Sequence, residues 1–242
     1  MQVVGVIPAR YGSTRLPGKP LKKIGSKTLI HHVYKNAQKS EILDDLIVAT
    51  DHKNIVKEVE KFGGRAILTA KSHKSGSDRI AEIIQNIDCD YVVNVQGDEP
   101  FIKPSDIDKM VKNVIENDYK IGSLARQGIS WDEFENPNVV KVILDKYNNA
   151  IYFSRHSIPF IRDQKNIQEN EIPALKHIGA YVYTRKMLLE FTSMAPSVLE
   201  KMEKLEQLRL LEAGYKIYIT KTFHDSPGID TPEDLKLAEG EL

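Results

Sequence analysis

Val3-Val4-Gly5-Val6-Ile7, running straight into Pro8-Ala9-Arg10-Tyr11-Gly12-Ser13-Thr14-Arg15-Leu16-Pro17-Gly18-Lys19, is the stretch around which the rest of the chain organises. Its first five residues are apolar, largely β-branched and too few for a helix, so they predict a buried strand. Similar short runs recur at 46–49, 66–68 and 91–95. Between them, 28–38, 54–62 and 78–87 carry apolar residues at helical spacing, the second closed by Gly63 and Gly64. Strand alternating with helix requires right-handed crossovers, which gives an α/β fold with a mostly parallel central sheet and helices on both faces. Ligands then belong at the carboxyl ends of the strands.

The rhythm changes in the second half. After a helix expected at 105–117, the runs 139–144 and 150–153 flank Asn148-Asn149, a two-residue turn signal that predicts an antiparallel hairpin. A loop is expected over 156–176, a strand over 177–183, one long helix over 199–213 stopped by Gly214, and a strand over 216–220. Thr231 then caps a last helix. No linker, internal repeat or low-complexity tract interrupts the 242 residues, so a single domain over 1–242 with an antiparallel excursion is expected.

Composition narrows the function classes. With 41% hydrophobic and 28% charged residues the chain can bury a sizeable core. Its formal net charge is zero, so no global basic field steers it to nucleic acid or to a membrane surface. No apolar run approaches the ~18 to 20 residues of a membrane helix, and the opening MQVVGVIPAR is wrongly flanked for a signal peptide, so a cytoplasmic location is expected. Cys89 is the only cysteine, which rules out an intrachain disulfide and a cysteine-based zinc site; it reads as a small core residue.

The loop after the first strand gathers three cations, Arg10, Arg15 and Lys19, with Gly12 and Gly18. Glycines let backbone N–H groups approach an anion and the cations neutralise it, so a triphosphate is the natural guest. The loop is not a Walker A motif: five residues, not four, separate Gly12 from Gly18-Lys19, and Pro20 offers no metal ligand.

A second loop, Gln96-Gly97-Asp98-Glu99-Pro100, brings two carboxylates to the carboxyl end of the 91–95 strand, where magnesium beside substrate phosphates would need one or two of them. The D-x-D at Asp88-Cys89-Asp90 precedes that strand and belongs at the wrong edge of the sheet. Asp230 is the other acidic candidate. Thr231, Pro232 and Asp234 already supply the helix cap, which leaves the Asp230 carboxylate for other work, and a second magnesium ligand is one reading of it.

These stretches, together with Tyr152-Phe153-Ser154-Arg155, His177-Ile178-Gly179, Leu205-Glu206-Gln207-Leu208-Arg209 and Asp230-Thr231-Pro232-Glu233-Asp234-Leu235, resemble the 3-deoxy-manno-octulosonate (Kdo) cytidylyltransferase family over nearly the whole chain. The resemblance implies a Rossmann-like nucleotidyltransferase fold, usually homodimeric, that makes CMP-Kdo and pyrophosphate from CTP and Kdo for lipopolysaccharide assembly. It implies a sugar-binding and dimerisation subregion at about 120–215. By the same resemblance Arg10, Ser13, Arg15 and Lys19 hold the triphosphate, Asp98 and Asp230 hold Mg2+, and Ser75, Ser77, Arg79 and Gln96 meet nucleotide or sugar. Gln96, Arg155, His177, Tyr181, Glu206 and Gln207 line the Kdo pocket.

Three positions depart from the family pattern: Ser77 where Thr is usual, Arg126 in Leu124-Ala125-Arg126 where Thr is frequent, and His156 where a small residue is common. The last two bear on the acid sugar, so a related acid sugar stays open as the alternative substrate; a glycosyltransferase and a non-catalytic nucleotide-sugar-binding protein are the rivals from other classes. On its own, His177 at a strand start also reads as a structural histidine. Glu206, on the apolar arc of a helix counted from Leu199, would pair either with Arg209 three residues on or with the ligand, whose carboxylate Arg155 or Arg79 could clamp.

Overall fold

The computed structural model describes residues 1–13, 16–163 and 167–240, so Arg15 lies outside the described residues. The chain divides into two compact units, Met1–Asp108 with Val182–Thr192 and Asp225–Leu242, and Lys109–Tyr181 with Ser193–His224.

In the first unit, β1 (Val3–Ala9) is followed by a small antiparallel ribbon, β2 (Lys23–Ile24) and β3 (Lys27–Thr28), then α1 (Leu29–Ala37), β4 (Asp45–Thr50), α2 (Lys53–Lys61), β5 (Arg65–Leu68), α3 (Gly76–Ile84) and β6 (Tyr91–Asn94). The four larger strands lie in the order β6-β1-β4-β5, all parallel. β1 is buried almost throughout because both its faces are covered, which is why it reads as a continuous apolar run. Its pairing with β6 ends at Val6, whereas its pairing with β4 runs on to Ala9. Pro8, which has no N–H to give, therefore sits beyond the end of β6 and interrupts no ladder there. The order reverses at β1, so the loops leaving β1 and β6 flank the switch point of the sheet.

α4 (Pro104–Glu116) leads into the second unit, which holds β7 (Ile121–Arg126), α5 (Trp131–Glu135), β8 (Lys141–Leu144), β9 (Ala150–Ser154) and most of β10 (Leu175–Thr184). After α6 (Arg185–Ser193), it continues with α7 (Val198–Glu203), α8 (Gln207–Glu212) and β11 (Tyr218–Thr222); α9 (Pro232–Glu239) returns to the first. Here β11 runs parallel to β7, and β8 pairs antiparallel with both β9 and β10, the excursion expected from sequence. Ile129, Phe134, Ile172 and Ala174 form a small core in this unit.

Two sequence expectations need correction. The hairpin turn is a loop over 145–149, not a two-residue turn: the Asp145 carboxylate accepts from Tyr147 N, Asn149 N and Asn149 Nδ2, each at 2.8 Å, with Asn148 at φ 64°. The long helix over 199–213 is two helices. Lys204 adopts a left-handed conformation (φ 55°, ψ 45°) that closes α7, and α8 restarts with Gln207, Leu208 and Leu210 inward. Glu206 thus stands at the head of α8, and the helical wheel drawn from Leu199 does not apply to it. Arg209 clasps Glu200, Nε to Oε2 at 2.7 Å and Nη2 to Oε1 at 2.6 Å, a bidentate link between the two helices.

Candidate active site

The loop leaving β1 is folded by its own backbone. The Tyr11 carbonyl accepts from Ser13 N and Gly18 N at 3.1 Å, Tyr11 N donates to Asp51 Oδ1 at 2.9 Å, and the Tyr11 ring stacks on His52 at 3.9 Å. Gly18 takes φ 67°, a conformation costly for any residue with a Cβ, and starts the 3-10 turn Lys19–Leu21. That turn delivers the Lys19 ammonium to two carboxylates, Asp98 Oδ2 at 2.6 Å and Asp230 Oδ1 at 3.0 Å. The Lys19 side chain is 14% exposed. Burial opposes its charge, but Asp98 and Asp230 together outweigh burial and raise its pKa above the ordinary lysine value. Arg10 is exposed and makes no hydrogen bond or ion pair among the described residues; the Ser13 hydroxyl accepts from Leu16 N at 3.4 Å.

Asp98 owes its place to Gly97, where a Cβ would lie 2.7 Å from the Pro8 carbonyl oxygen, too close for any other residue without moving the β1 backbone. The Asp98 carbonyl accepts from Ile229 N at 2.8 Å and so ties the two acidic segments together. Thr231 and Asp234 form the capping box: Thr231 Oγ1 accepts from Asp234 N at 3.2 Å, and Asp234 Oδ2 accepts from Thr231 N at 2.8 Å and Asp230 N at 2.9 Å. With the cap made by others, the Asp230 carboxylate turns to Lys19. Glu99 does not join them; it is buried and accepts from Ser226 Oγ at 3.3 Å. Among the described residues no cluster of three His, Cys, Asp or Glu exists, so the protein alone offers two convergent carboxylates. That donor set fits a hard cation that completes its shell with water and phosphate oxygens.

Around this centre, the Ser75 hydroxyl caps α3 by accepting from Asp78 N at 3.1 Å, Ser77 is buried, and Gln96 Nε2 donates to Asn94 Oδ1 at 3.3 Å. Arg79 is only 3% exposed, its guanidinium engaged by Thr69, Ala70 and Asp51, so the structure does not bring it to an open face. The D-x-D lies at the other edge of the sheet, where Asp90 Oδ2 accepts from Gln2 N at 2.6 Å just ahead of β1.

The second unit gathers its own polar set. His177 Nε2 lies 3.0 Å from Ser123 Oγ, whose proton goes to the Ala180 carbonyl at 2.8 Å, so the imidazole donates from Nε2 and carries no proton on Nδ1. The ring stands edge-on to Phe153 at 5.0 Å and tilted against Tyr181 at 5.5 Å. Burial pushes the His177 pKa down to about 3, although part of the residue reaches solvent. Tyr181 and Gln207 are buried and Glu206 is half-buried. Arg155 donates from Nε to the Glu203 carbonyl at 2.9 Å and from Nη1 to the Pro137 carbonyl at 3.2 Å.

Sequence reasoning missed two residues here. Glu203 accepts from Ser154 Oγ at 2.6 Å and Arg155 N at 2.9 Å, and nothing in its sequence context signals that. Lys141 lies behind Arg155. A lone cation inside the apolar run Val139-Val140-Lys141-Val142-Ile143-Leu144 was the available signal for it.

Residues 4–217 match the Cytidylyltransferase family. The 3-deoxy-manno-octulosonate cytidylyltransferase of Thermodesulfovibrio yellowstonii is 47% identical, covering 99% of this chain and 97% of its own, and that of Fusobacterium nucleatum is 48% identical, covering 98% and 95%. A solved structure of CMP:2-keto-3-deoxy-manno-octonic acid synthetase complexed with CTP superposes with a TM-score of 0.93 at 38% identity, covering 100% of this chain and 98% of that one. The chain belongs to the 3-deoxy-manno-octulosonate cytidylyltransferase family.

Proposed function

We propose that the chain forms CMP-Kdo and pyrophosphate from CTP and Kdo, with Asp98 and Asp230 as protein ligands of Mg2+ and the loop 10–19 as the triphosphate cradle. The observation that carries the reading is the convergence of Lys19, Asp98 and Asp230 beside the switch point of the first unit's sheet. The anomeric hydroxyl of the sugar attacks the α-phosphorus in line; the new O–P bond forms as the bond to the β-phosphate oxygen breaks, pyrophosphate departs and the hydroxyl proton is released to water. Lys19, with Arg10 and Arg15 of the same loop, neutralises charge that builds on the leaving group. Asp98 and Asp230 would hold magnesium, which would supply further charge neutralisation and orientation for the reacting phosphates. Lys19 then exchanges carboxylate partners for phosphate oxygens, a change open to a single flexible ammonium.

In the second unit, His177 offers a neutral imidazole and Arg155 a guanidinium, which suit the hydroxyls and the carboxylate of an acid sugar. A homodimer acting in the cytoplasm and supplying lipopolysaccharide assembly completes the proposal. No described helix is long and apolar enough to cross a membrane.

The test incubates the protein with CTP and a panel of acid sugars, with and without magnesium, and measures pyrophosphate. Release with Kdo and magnesium is expected. Release only with another acid sugar, such as an amino-Kdo or a sialic acid, moves the substrate; no release from any of them sinks the assignment.

A further inference from the structure

Lys141, the first residue of β8, has no exposed surface, yet no carboxylate pairs with it among the described residues. Its ammonium donates instead to three backbone carbonyls, Asn136 at 2.8 Å, Val139 at 2.6 Å and Arg155 at 2.6 Å. Burying a cation without a counter-ion is costly, and Met or Leu would serve packing alone. Three carbonyl oxygens converging on one point are the ligand set that dehydrated monovalent cations accept. Burial disfavours the Lys141 charge; the charge of Arg155 also opposes the ammonium and that of Glu203 favours it.

The three carbonyls come from two segments, and Arg155 depends on both. Asn136 and Val139 bracket Pro137, whose carbonyl receives Arg155 Nη1 at 3.2 Å, while the third carbonyl is that of Arg155 itself. With Nε on the Glu203 carbonyl at 2.9 Å, two of the three guanidinium nitrogens are fixed, and Nη2 has no partner among the described residues.

We propose that Lys141 is a positioning residue: its ammonium acts as a tethered monovalent cation that joins the 136–139 loop to the end of β9 and thereby aims Arg155 Nη2 at an anionic group of the acid sugar. This rests on the reading of Arg155 as a sugar-side residue. Lys141 itself touches no substrate.

The experiment compares the intact enzyme with Lys141→Ala, Lys141→Met and Arg155→Ala, measuring KM for Kdo by pyrophosphate release and Kd for CTP by calorimetry. Lys141→Ala should raise KM for Kdo about ten- to hundredfold, the scale of a displaced positioning group, with CTP affinity unchanged. Ammonium chloride should restore most of the loss, and tetramethylammonium chloride at the same ionic strength should not, because it is too large for the three carbonyls. Lys141→Met fills the space without charge and is the variant to measure if Lys141→Ala fails to fold; it should show the raised KM and no response to ammonium. Wild-type KM for Kdo in Lys141→Met, alongside a raised KM in Arg155→Ala, overturns the positioning role alone. Unchanged KM in Arg155→Ala overturns the sugar-side reading of Arg155 and this inference with it.

Discussion

The Lys19 ammonium lies 2.6 Å from Asp98 Oδ2, a contact between residues 79 apart in sequence, and shares itself with Asp230 at 3.0 Å. Two facing carboxylates would repel one another, and Lys19 cancels that repulsion. Asp98→Asn and Asp230→Asn should therefore lower stability slightly, by about 1 kcal/mol for partly exposed pairs, seen as a fall in Tm. Their effect on activity should be far larger, a loss of about a hundredfold or more in magnesium-dependent kcat/KM. Asp90→Asn, bound to Gln2 at the opposite edge, is the control and should leave magnesium dependence intact. Loss of magnesium-dependent turnover in Asp90→Asn, with both other variants active, would reverse the metal assignment.

Lys19→Ala separates the cation from the proposed metal ligands. It should raise KM for CTP and lower kcat, because charge is withdrawn from the departing pyrophosphate, while two carboxylates left facing each other should lower Tm. Steady-state kinetics with varied CTP checks it. Wild-type values for both constants would remove Lys19 from the triphosphate site.

How much of this was legible in the sequence depends on how local the cause is. β1, β4 and β6 were readable because strands buried on both faces become unbroken apolar runs; β5 also formed where expected, but as an edge strand with Arg65 and Leu68 exposed rather than the buried strand its run suggested, and the ends of all four moved by only a residue or two. Asp98 and Asp230 were readable because one follows a strand and the other precedes a capping box already complete without it. Their meeting at Lys19 was not, since nothing short-range couples positions 211 apart. The break between α7 and α8 was hidden because a lysine, not a glycine, takes the left-handed conformation at 204. Arg79 and Arg155 look alike as sequence, but only the fold decides that acceptors surround Arg79 while Arg155 keeps one nitrogen uncommitted among the described residues.

His177 should act as a neutral group throughout the working pH range, because burial holds its pKa at about 3. His177→Ala should weaken Kdo use while leaving CTP affinity, measured by calorimetry, nearly intact. In the wild type the imidazole signals followed by NMR should not titrate between pH 8 and pH 5. A titration near pH 6.5, or equal losses of both ligands in the variant, would contradict this placement.

Glu133 supplies the clearest acid dependence. Its carboxylate accepts from Arg126 Nη2, from Lys176 Nζ at 3.1 Å and from Ser130 N at 3.2 Å, and the side chain is 24% exposed. Burial alone would raise its pKa; the Arg126, Ser130 and Lys176 donors overcome that and hold it down at about 2. The folded value lies below the unfolded one of about 4.3, so between the two the unfolded chain binds the extra proton. The stabilisation is complete above the unfolded value and drains away as pH falls towards the folded one. Glu133→Gln removes that dependence, keeps the side chain's size and leaves the other carboxylates titrating. Urea unfolding of both proteins at pH 7 and pH 3 should show the wild type ahead at pH 7 and the gap narrowing by roughly 1 to 2 kcal/mol at pH 3. A gap that stays constant over that range would mean that the carboxylate titrates alike in both states and that its three donors contribute nothing specific to its charge.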